Sequence, residues 1–420
     1  MEPGFLRPLP AYQSHPVPAD PCGAFVAFNE HIQPAANGPL AGTRFALKDL
    51  ADTIGRPPSC GLTRLPSPPP VSNAPVVTRL LDAGASLTGF ATMTPLAYEP
   101  SGGNPVQGRP RNPWSGSHIC GGSSSGSAVA VAGRMVDFAI GSDTGGSLRI
   151  PAQCCGVAAW KPTHGLVPVG GTMALAPSLD TLGFLANDCA LLLGIAQVFD
   201  AGPLAQISSV CVAQDVAASC APDIAAALER AVSALRSIGL DVREAALAPL
   251  ISACDRPVMT VMQAEAARVN LPLIEAGSLD PVLATRLRKG LSIDDETLQA
   301  ATTDLQTLAD DQWPALLGDA DAVLLPVMRI STPRVEVCEP ASASFSARTL
   351  YELSALTRWV NGLGLPAVAI PVGLDDEGMP IAMQIVGRRA SDLPLLKLAC
   401  LLHHVLPPMP SPPGLPGMPR

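Results

Sequence analysis

The sequence lacks the positive charge that nucleic-acid-binding proteins carry. Only 15% of its 420 residues are charged, and 27 Lys and Arg stand against 36 Asp and Glu, which gives a formal net charge of −9. Such a chain offers no broad basic surface for a phosphate backbone, and we expect no nucleic-acid partner. Because 47% of the residues are hydrophobic, the composition indicates a core-rich protein of enzyme size with a small neutral or apolar ligand.

Long apolar runs are also absent. Each apolar stretch is interrupted by Asp, Arg or Pro before it reaches the roughly 18–20 residues that a membrane-spanning helix needs. The first residues, MEPGFLRPLPAYQSHP, contain prolines where a signal peptide has a basic start and an apolar run. We therefore expect a cytoplasmic protein with no membrane partner.

The cysteines and histidines are not arranged as metal sites usually are. Eleven cysteines are spread along the chain without a C-x-x-C pair, which favours reduced thiols packed in the core. None of the six histidines lies in a sequence typical of a general base, and His164, in a Thr-His-Gly turn, is typical of a structural role. The sequence therefore predicts neither a metal nor a cofactor.

Helix and strand patterns alternate along the chain. Apolar residues at helical spacing predict a helix over 76–81 and, after Gly84, a strand over 85–90. A longer apolar stripe predicts a helix over 224–238, followed by a short strand over 240–243. Further buried strands are predicted at 136–140, 322–325 and 367–372. This alternation predicts an α/β fold around a mostly buried sheet.

Residues 120–151 are the most unusual segment. In CGGSSSGSAVAVAGRMVDFAIGSDTGGSLRIP, two loops rich in glycine and serine enclose a helix of small residues and a strand. Glycine lets backbone N–H groups approach a ligand closely, and a helix N-terminus adds free donors and a positive dipole. The segment therefore predicts a site for an anion or an oxyanion.

Two familiar explanations of this segment fit poorly. Neither loop has the Gly-Lys-Ser/Thr ending of a P-loop or the G-x-G-x-x-G of a dinucleotide fold. Residues 122–126 match G-x-S-x-G, but Pro110 and Pro113 precede them where a nucleophile elbow needs a strand. The explanation that remains is a serine nucleophile activated by a lysine. Lys48 ends the apolar run RFALK, and burial there would lower its pKa from the reference value of about 10.4.

Four segments resemble the amidase signature family of serine hydrolases. They are GGSSSGSAVAVA (121–132), GSDTGGSLRIPA (141–152), GVAAWKPTHG (156–165) and SLDTLG (178–183). The resemblance implies a Ser-cisSer-Lys triad with Lys48 as base, Ser123 as the bridging serine after a cis peptide bond, and Ser147 as nucleophile. It implies an oxyanion hole from the backbone N–H groups of Thr144, Gly145, Gly146 and Ser147, with Ser124, Asp143, Arg149 and Asp180 supporting the loops.

The same resemblance implies the architecture. We expect the α/β amidase signature fold, a large mixed central sheet covered by helices on both faces. A single domain is expected over 1–405, with its catalytic core at about 41–190 and a more variable helical region at about 200–320. Residues 406–420, which include seven prolines, are expected to form a disordered tail.

The function that follows is hydrolysis of a small-molecule carboxamide to a carboxylic acid and ammonia. The sequence looks closest to the short amidases of the indole-3-acetamide hydrolase type. The alternative is an amidotransferase A-type subunit that releases ammonia within a larger complex. The sequence identifies neither the physiological amide nor the oligomeric state. A homodimer is compatible with it.

Overall fold

One mixed β-sheet runs through the molecule. The computed structural model describes residues 19–63, 65, 67–203 and 205–413, and within them eleven strands pair in the order β1-β3-β2-β4-β6-β5-β10-β11-β9-β7-β8. The strands are β1 (Phe25–Phe28), β2 (Arg44–Lys48), β3 (Ser86–Ala91), β4 (Phe138–Asp143), β5 (Ala158–Lys161), β6 (Thr181–Ala186), β7 (Ser209–Val212), β8 (Asp241–Glu244), β9 (Ala322–Pro326), β10 (Ala367–Leu374) and β11 (Pro380–Gly387). Strand β2 is parallel to β3 and β4, and β7 is parallel to β8 and β9, whereas the other neighbours are antiparallel.

Helices connect most of these strands. They are α1 (Pro75–Asp82), α2 (Ser125–Ala132), α3 (Arg149–Cys155), α4 (Cys189–Val198), α5 (Gln214–Ala217), α6 (Pro222–Ser237), α7 (Ala248–Val269), α8 (Leu271–Glu275), α9 (Pro281–Gly290), α10 (Asp295–Thr307), α11 (Trp313–Leu317), α12 (Val335–Cys338), α13 (Ala347–Leu353), α14 (Arg358–Gly362) and α15 (Asp392–Val405). A 3-10 turn covers Pro95–Ala97, and a π-helical turn, Leu308–Gln312, joins α10 to α11. The α/β class, the mixed sheet and the two predicted helix–strand pairs, now α1–β3 and α6–β8, are confirmed.

Side-chain size distinguishes the two faces of the sheet. Phe45, Phe138 and Phe184 point to one face, where they pack with the apolar sides of α1, α4, α6 and α15. Ala46 and Ala139, one position along β2 and β4, point to the other face and pack with α2 and α3. Because successive side chains of a strand alternate between faces, small residues on one side let α2 and α3 lie close to the sheet. These two helices flank the glycine-rich loops.

A third core supports the more helical half of the chain. It joins α7, α10 and α14 around Trp313 and Trp359, whose ring centroids are 5.5 Å apart. This core lies next to β9, β10 and β11 through residues such as Leu325 and Val386. Helix α7 and helix α14 are thereby fixed against the central sheet.

The C-terminal segment and the cysteines bear on two of the predictions. Residues 406–413 contain neither helix nor strand, and residues 414–420 of the predicted tail lie outside the described part of the chain. All eleven cysteines are free thiols, and all but Cys220 and Cys400 are buried. None of the helices within the described ranges is both long enough and apolar enough to span a bilayer.

Candidate active site

Lys48 is the last residue of β2 and is completely buried. Its Nζ donates to Ser123 Oγ at 2.7 Å and to Ser142 Oγ at 2.7 Å. Strand β4 lies parallel to β2, so the carboxyl ends of both strands reach the same edge of the sheet, and Ser142 lies beside Lys48. The amine thus contacts one serine from each of the two glycine-rich segments.

The environment of Lys48 favours its neutral form. Burial lowers the pKa of Lys48 to about 7, although the carboxylates of Asp143 and Asp180 favour the charged form. Lys48 forms no ion pair with any described residue, and hydroxyl oxygens are its hydrogen-bond partners. Near neutral pH this amine can therefore accept a proton, which a solvated lysine does only rarely.

The loop before α2 positions Ser123 and Ser124. The Gly122–Ser123 peptide bond is cis, and the Gly122 N–H donates to the Pro100 carbonyl at 2.7 Å. A Cβ on Gly122 would lie 2.7 Å from the backbone nitrogen of Gly102, so only glycine fits there. Ser124 links the two glycine-rich loops, because its N–H donates to the Ser147 carbonyl at 3.3 Å and its hydroxyl donates to the Ser142 carbonyl at 3.1 Å.

The loop after β4 has three free backbone donors. The N–H groups of Thr144, Gly145 and Ser147 make no hydrogen bond to any other residue that the structure describes. The Gly146 N–H instead donates to Asp143 Oδ1 at 2.7 Å. The Gly146 N–H, which the resemblance also implies as an oxyanion donor, thus has a carboxylate acceptor in this conformation. The N–H groups of Thr144, Gly145 and Ser147 are the candidates without another acceptor among the described residues.

Asp143 and Arg149 form a buried ion pair beneath this loop. Arg149 Nε and Nη2 bind the two carboxylate oxygens of Asp143 at 3.1 and 2.9 Å, and neither side chain is exposed. Burial opposes ionisation of Asp143, but the guanidinium of Arg149 outweighs it and holds the pKa of this carboxyl at about 2. Asn361 and Gln384 accept from Arg149 at 2.7 and 2.9 Å.

Asp180 is connected to the other end of the loop. Its Oδ1 accepts from Thr144 Oγ1 at 2.6 Å, and its Oδ2 accepts from the backbone N–H groups of Leu175 and Ala176 at 2.8 and 3.1 Å. Burial raises the pKa of Asp180. The carboxylate therefore joins the 175–180 segment to Thr144.

Ser147 is half-buried, and its hydroxyl makes no hydrogen bond to the described residues. The structure thus joins Lys48 to Ser123 directly, and it brings Ser147 beside Ser124 through a backbone contact. A hydrogen bond from Ser147 to Ser123 is not formed in this conformation.

Three contact residues were not predicted. Ser142 lies inside the quoted GSDTGGS motif, so its position there was the available signal. Asn361 and Gln384 also contact the site, although they follow Arg149 by 212 and 235 positions in the sequence. No local pattern around either of them indicates that contact.

The mixed sheet places the chain among the α/β proteins, and the buried lysine–serine pair beside a glycine-rich loop is an arrangement suited to a hydrolase. Within that class, the chain belongs to the Amidase family, whose model matches residues 27–200 and 205–396.

Relatives cover nearly the same length. Amidase 1 of Arabidopsis thaliana is 30% identical over 86% of this chain and 92% of its own. The A-type subunit of the glutamyl-tRNA(Gln) amidotransferase of Nitrosococcus oceani is 31% identical over 88% of this chain and 84% of its own. Among solved structures, a crystal structure of an amidase superimposes with a TM-score of 0.80 at 31% identity, covering 88% of this chain and 86% of that one.

Proposed function

We propose that the protein is a serine amidase that hydrolyses a small-molecule carboxamide to a carboxylic acid and ammonia through an acyl-enzyme on Ser147. The observation that carries this proposal is the Lys48 amine, which is buried, free of any carboxylate partner among the described residues, and 2.7 Å from Ser123 Oγ. Membership of the Amidase family supports the reaction class. The proposed catalytic domain is a single one, over residues 1–405.

In the proposed mechanism, neutral Lys48 takes a proton from Ser123 while Ser123 takes one from Ser147. The Ser147 oxygen attacks the amide carbonyl, and the carbon–nitrogen bond breaks as a proton returns along the same relay to the departing ammonia. Water then hydrolyses the ester on Ser147 with the relay acting again as base. Catalytic hydrogen bonds are often long in free enzymes and shorten in the substrate complex, so the Ser147–Ser123 contact would form on binding.

The N–H groups of Thr144, Gly145 and Ser147 would stabilise the oxyanion. They are free of other described acceptors, and loss of one such donor typically lowers the rate by about 10²–10³-fold. Asp143, Arg149, Ser124 and Asp180 would hold the two loops and would not react. This chemistry assigns no step to a metal or a cofactor.

Replacement of Ser147 tests the proposal. Ser147→Ala should abolish ammonia release from a panel of aliphatic, aryl and urea-like amides, and it should abolish labelling by a fluorophosphonate. Ser127→Ala is the matched control, because Ser127 is a buried serine of α2 whose hydroxyl donates to the Ile140 carbonyl at 2.9 Å. Near-normal turnover in Ser147→Ala would contradict the assignment of the nucleophile.

An activity assay of the purified chain distinguishes an independent amidase from an amidotransferase subunit. Both share the acyl-enzyme chemistry, but they differ in the acceptor of the ammonia. Turnover of simple amides by the purified chain, with ammonia released to solvent, supports the amidase. Turnover that appears only with a co-purifying partner supports the subunit.

A further inference from the structure

The loop of residues 144–147 after β4, called the oxyanion loop below, is held by a residue that is remote in sequence. Thr357 is fully buried just before α14, and its Oγ1 lies 2.7 Å from the Gly145 carbonyl oxygen and 3.2 Å from that of Ser354. A hydroxyl has one proton to donate, and the shorter distance assigns it to Gly145. Thr357 therefore fixes a carbonyl inside the loop, 212 residues away.

The peptide unit between Gly145 and Gly146 is held at both ends. Its carbonyl accepts from Thr357, and its N–H donates to Asp143 at 2.7 Å. Gly146 has φ of +128°, a backbone region that favours glycine, and a Cβ there would overlap the Thr357 hydroxyl. Glycine by itself restricts the backbone little. The contacts with Thr357 and Asp143 therefore define the orientation of this peptide unit.

The peptide units on either side carry two of the free donors. The Gly145 N–H belongs to the preceding unit, and the Ser147 N–H belongs to the following one. The directions of these two N–H groups depend on the φ and ψ angles at Gly145 and Gly146, which the two anchors of the central unit restrict. Without one anchor these angles are less restricted, and the two donors are less well oriented. Catalysis by such donors depends on their being oriented before the reaction.

We propose that Thr357 is a positioning residue that fixes the direction of the Gly145 and Ser147 donors for the transition state. This inference rests on the proposed function and adds a residue to it. Thr357 touches neither the nucleophile nor the Lys48–Ser123 pair in the described contacts, so its effect passes through the Gly145 carbonyl.

Thr357→Val removes the hydroxyl and keeps the shape of the side chain. We expect kcat to fall by about 10–100-fold, with KM changed less than about threefold, because misdirected donors weaken transition-state binding more than substrate binding. Thr357→Ser keeps the hydroxyl and should retain kcat within about threefold of the wild type. The pH at which the acid limb of the rate profile is half-maximal should not move in either variant, since the surroundings of Lys48 are unchanged.

Thr43→Val is the matched control. Thr43 is also buried, and its hydroxyl donates to the Leu40 carbonyl at the same 2.7 Å, but it precedes β2 at the end opposite Lys48. Both valine variants should lose similar thermal stability, and only Thr357→Val should lose kcat. Equal kcat in the two variants, or a loss in Thr357→Ser as large as in Thr357→Val, would overturn the positioning role.

The same experiment separates this inference from the proposed function. Wild-type enzyme and Thr43→Val must hydrolyse amides and label at Ser147 with a fluorophosphonate. If they do and Thr357→Val matches them, only the role of Thr357 is wrong. If wild-type enzyme neither turns over amides nor labels, the proposed function itself fails.

Discussion

At the scale of single residues, the ionisation of Lys48 decides whether the site can work. Burial lowers the pKa of Lys48 to about 7, so the amine changes from mostly charged to mostly neutral across the neutral range. Only the neutral amine can accept a proton from Ser123. A base of this kind contributes most when its pKa is close to the working pH.

We therefore predict that kcat/KM rises tenfold per pH unit below neutrality and levels off above an apparent pKa of about 7. Burial likewise lowers the pKa of Lys161 to about 7, but its Nζ donates to the Pro162 carbonyl and contacts neither serine. Lys161→Met should consequently keep the acid limb in place, whereas Lys48→Ala should lose several orders of magnitude in rate. A profile that is flat from pH 6 to pH 9 would contradict the role of Lys48.

The Asp143–Arg149 pair predicts a loss of stability. In Arg149→Met, a carboxylate with no exposed surface loses the guanidinium that binds both its oxygens. Removing one partner of a buried ion pair typically costs about 3–5 kcal/mol, and we expect a loss of that size in urea unfolding. Arg268→Met, which breaks the exposed pair with Asp295, should cost far less. Equal midpoints for the two variants would refute the prediction.

The residues of the site differ in how far the sequence could reveal them. Lys48, Ser123 and Asp143 lie in motifs whose residue types and order indicate the chemistry. Thr357 and Asn361 act through hydrogen bonds across the fold. Thr357 contacts Gly145, and Asn361 contacts the backbone and the side chain of Asp143. Neither a threonine just before a short helix nor an asparagine within it has a local pattern that predicts such a partner. The hydrogen bond from the Gly146 N–H to Asp143 was likewise not predicted, because it depends on how the loop turns.

At the scale of elements, helix α7 packs against the oxyanion loop. A Cβ on Gly145 would lie 2.8 Å from Met262 Cε, so the half-buried methionine packs directly on the loop. One turn later, Glu265 accepts from the hydroxyl and the backbone N–H of Ser178, in the segment that leads to Asp180. Helix α7 therefore contacts both the loop and its support.

This contact predicts that Met262 limits the size of the amide. Met262→Ala removes an apolar group next to Gly145, and we expect kcat/KM to rise for bulky aryl amides relative to acetamide. The change should be within about 10–200-fold, the range in which pocket methylenes discriminate substrates. Met135→Ala is the control, because its methyl packs on Gly133 at the end of α2 and should leave the ratio unchanged. An unchanged ratio in Met262→Ala would remove this residue from the pocket wall.

Sequence periodicity predicts helices that have a distinct apolar face. It does not predict short or irregular helical segments. Helix α6 has such a face, formed by Ile224, Leu228 and Leu235, and Gly239 follows the helix. The short helix α3 includes Pro151, and the π-helical turn Leu308–Gln312 interrupts an otherwise helical run. Neither has a periodic signal of its own, because contacts with the sheet and with α7 determine its shape.

At the scale of the whole molecule, one sheet takes its strands from most of the length of the chain, which explains why segments remote in sequence meet at the site. Strand β11 carries Gln384 beneath Arg149, and the segment after α13 carries Thr357 above Gly145. The alternation of helices and strands predicted an α/β fold and its buried strands. It could not predict the strand order β10-β11-β9-β7-β8, because pairing between distant strands depends on the packing of the completed core.

The buried lysines and thiols together predict how stability varies with pH. Lys48 and Lys161 have pKa values of about 7 in the folded protein against about 10.5 in the unfolded chain. Between these values the unfolded state binds more protons, so the free energy of unfolding rises with pH, by up to about 1.4 kcal/mol per pH unit for each lysine. Burial raises the pKa of cysteines such as Cys60 and Cys154 above the usual 9.0, which reverses the slope at higher pH.

We therefore expect the free energy of unfolding to increase from pH 7 to about pH 8.5 and to decrease above about pH 9, where thiols ionise in the unfolded chain and stay protonated in the folded one. Urea unfolding under reducing conditions at intervals of half a pH unit measures both limbs. Lys161→Met removes one of the two lysines and should reduce the initial slope by about half, so that the decline begins at a slightly lower pH. A free energy of unfolding that falls steadily from pH 7 would mean that these amines keep their protons in the folded protein, and Lys48 could not then serve as the base.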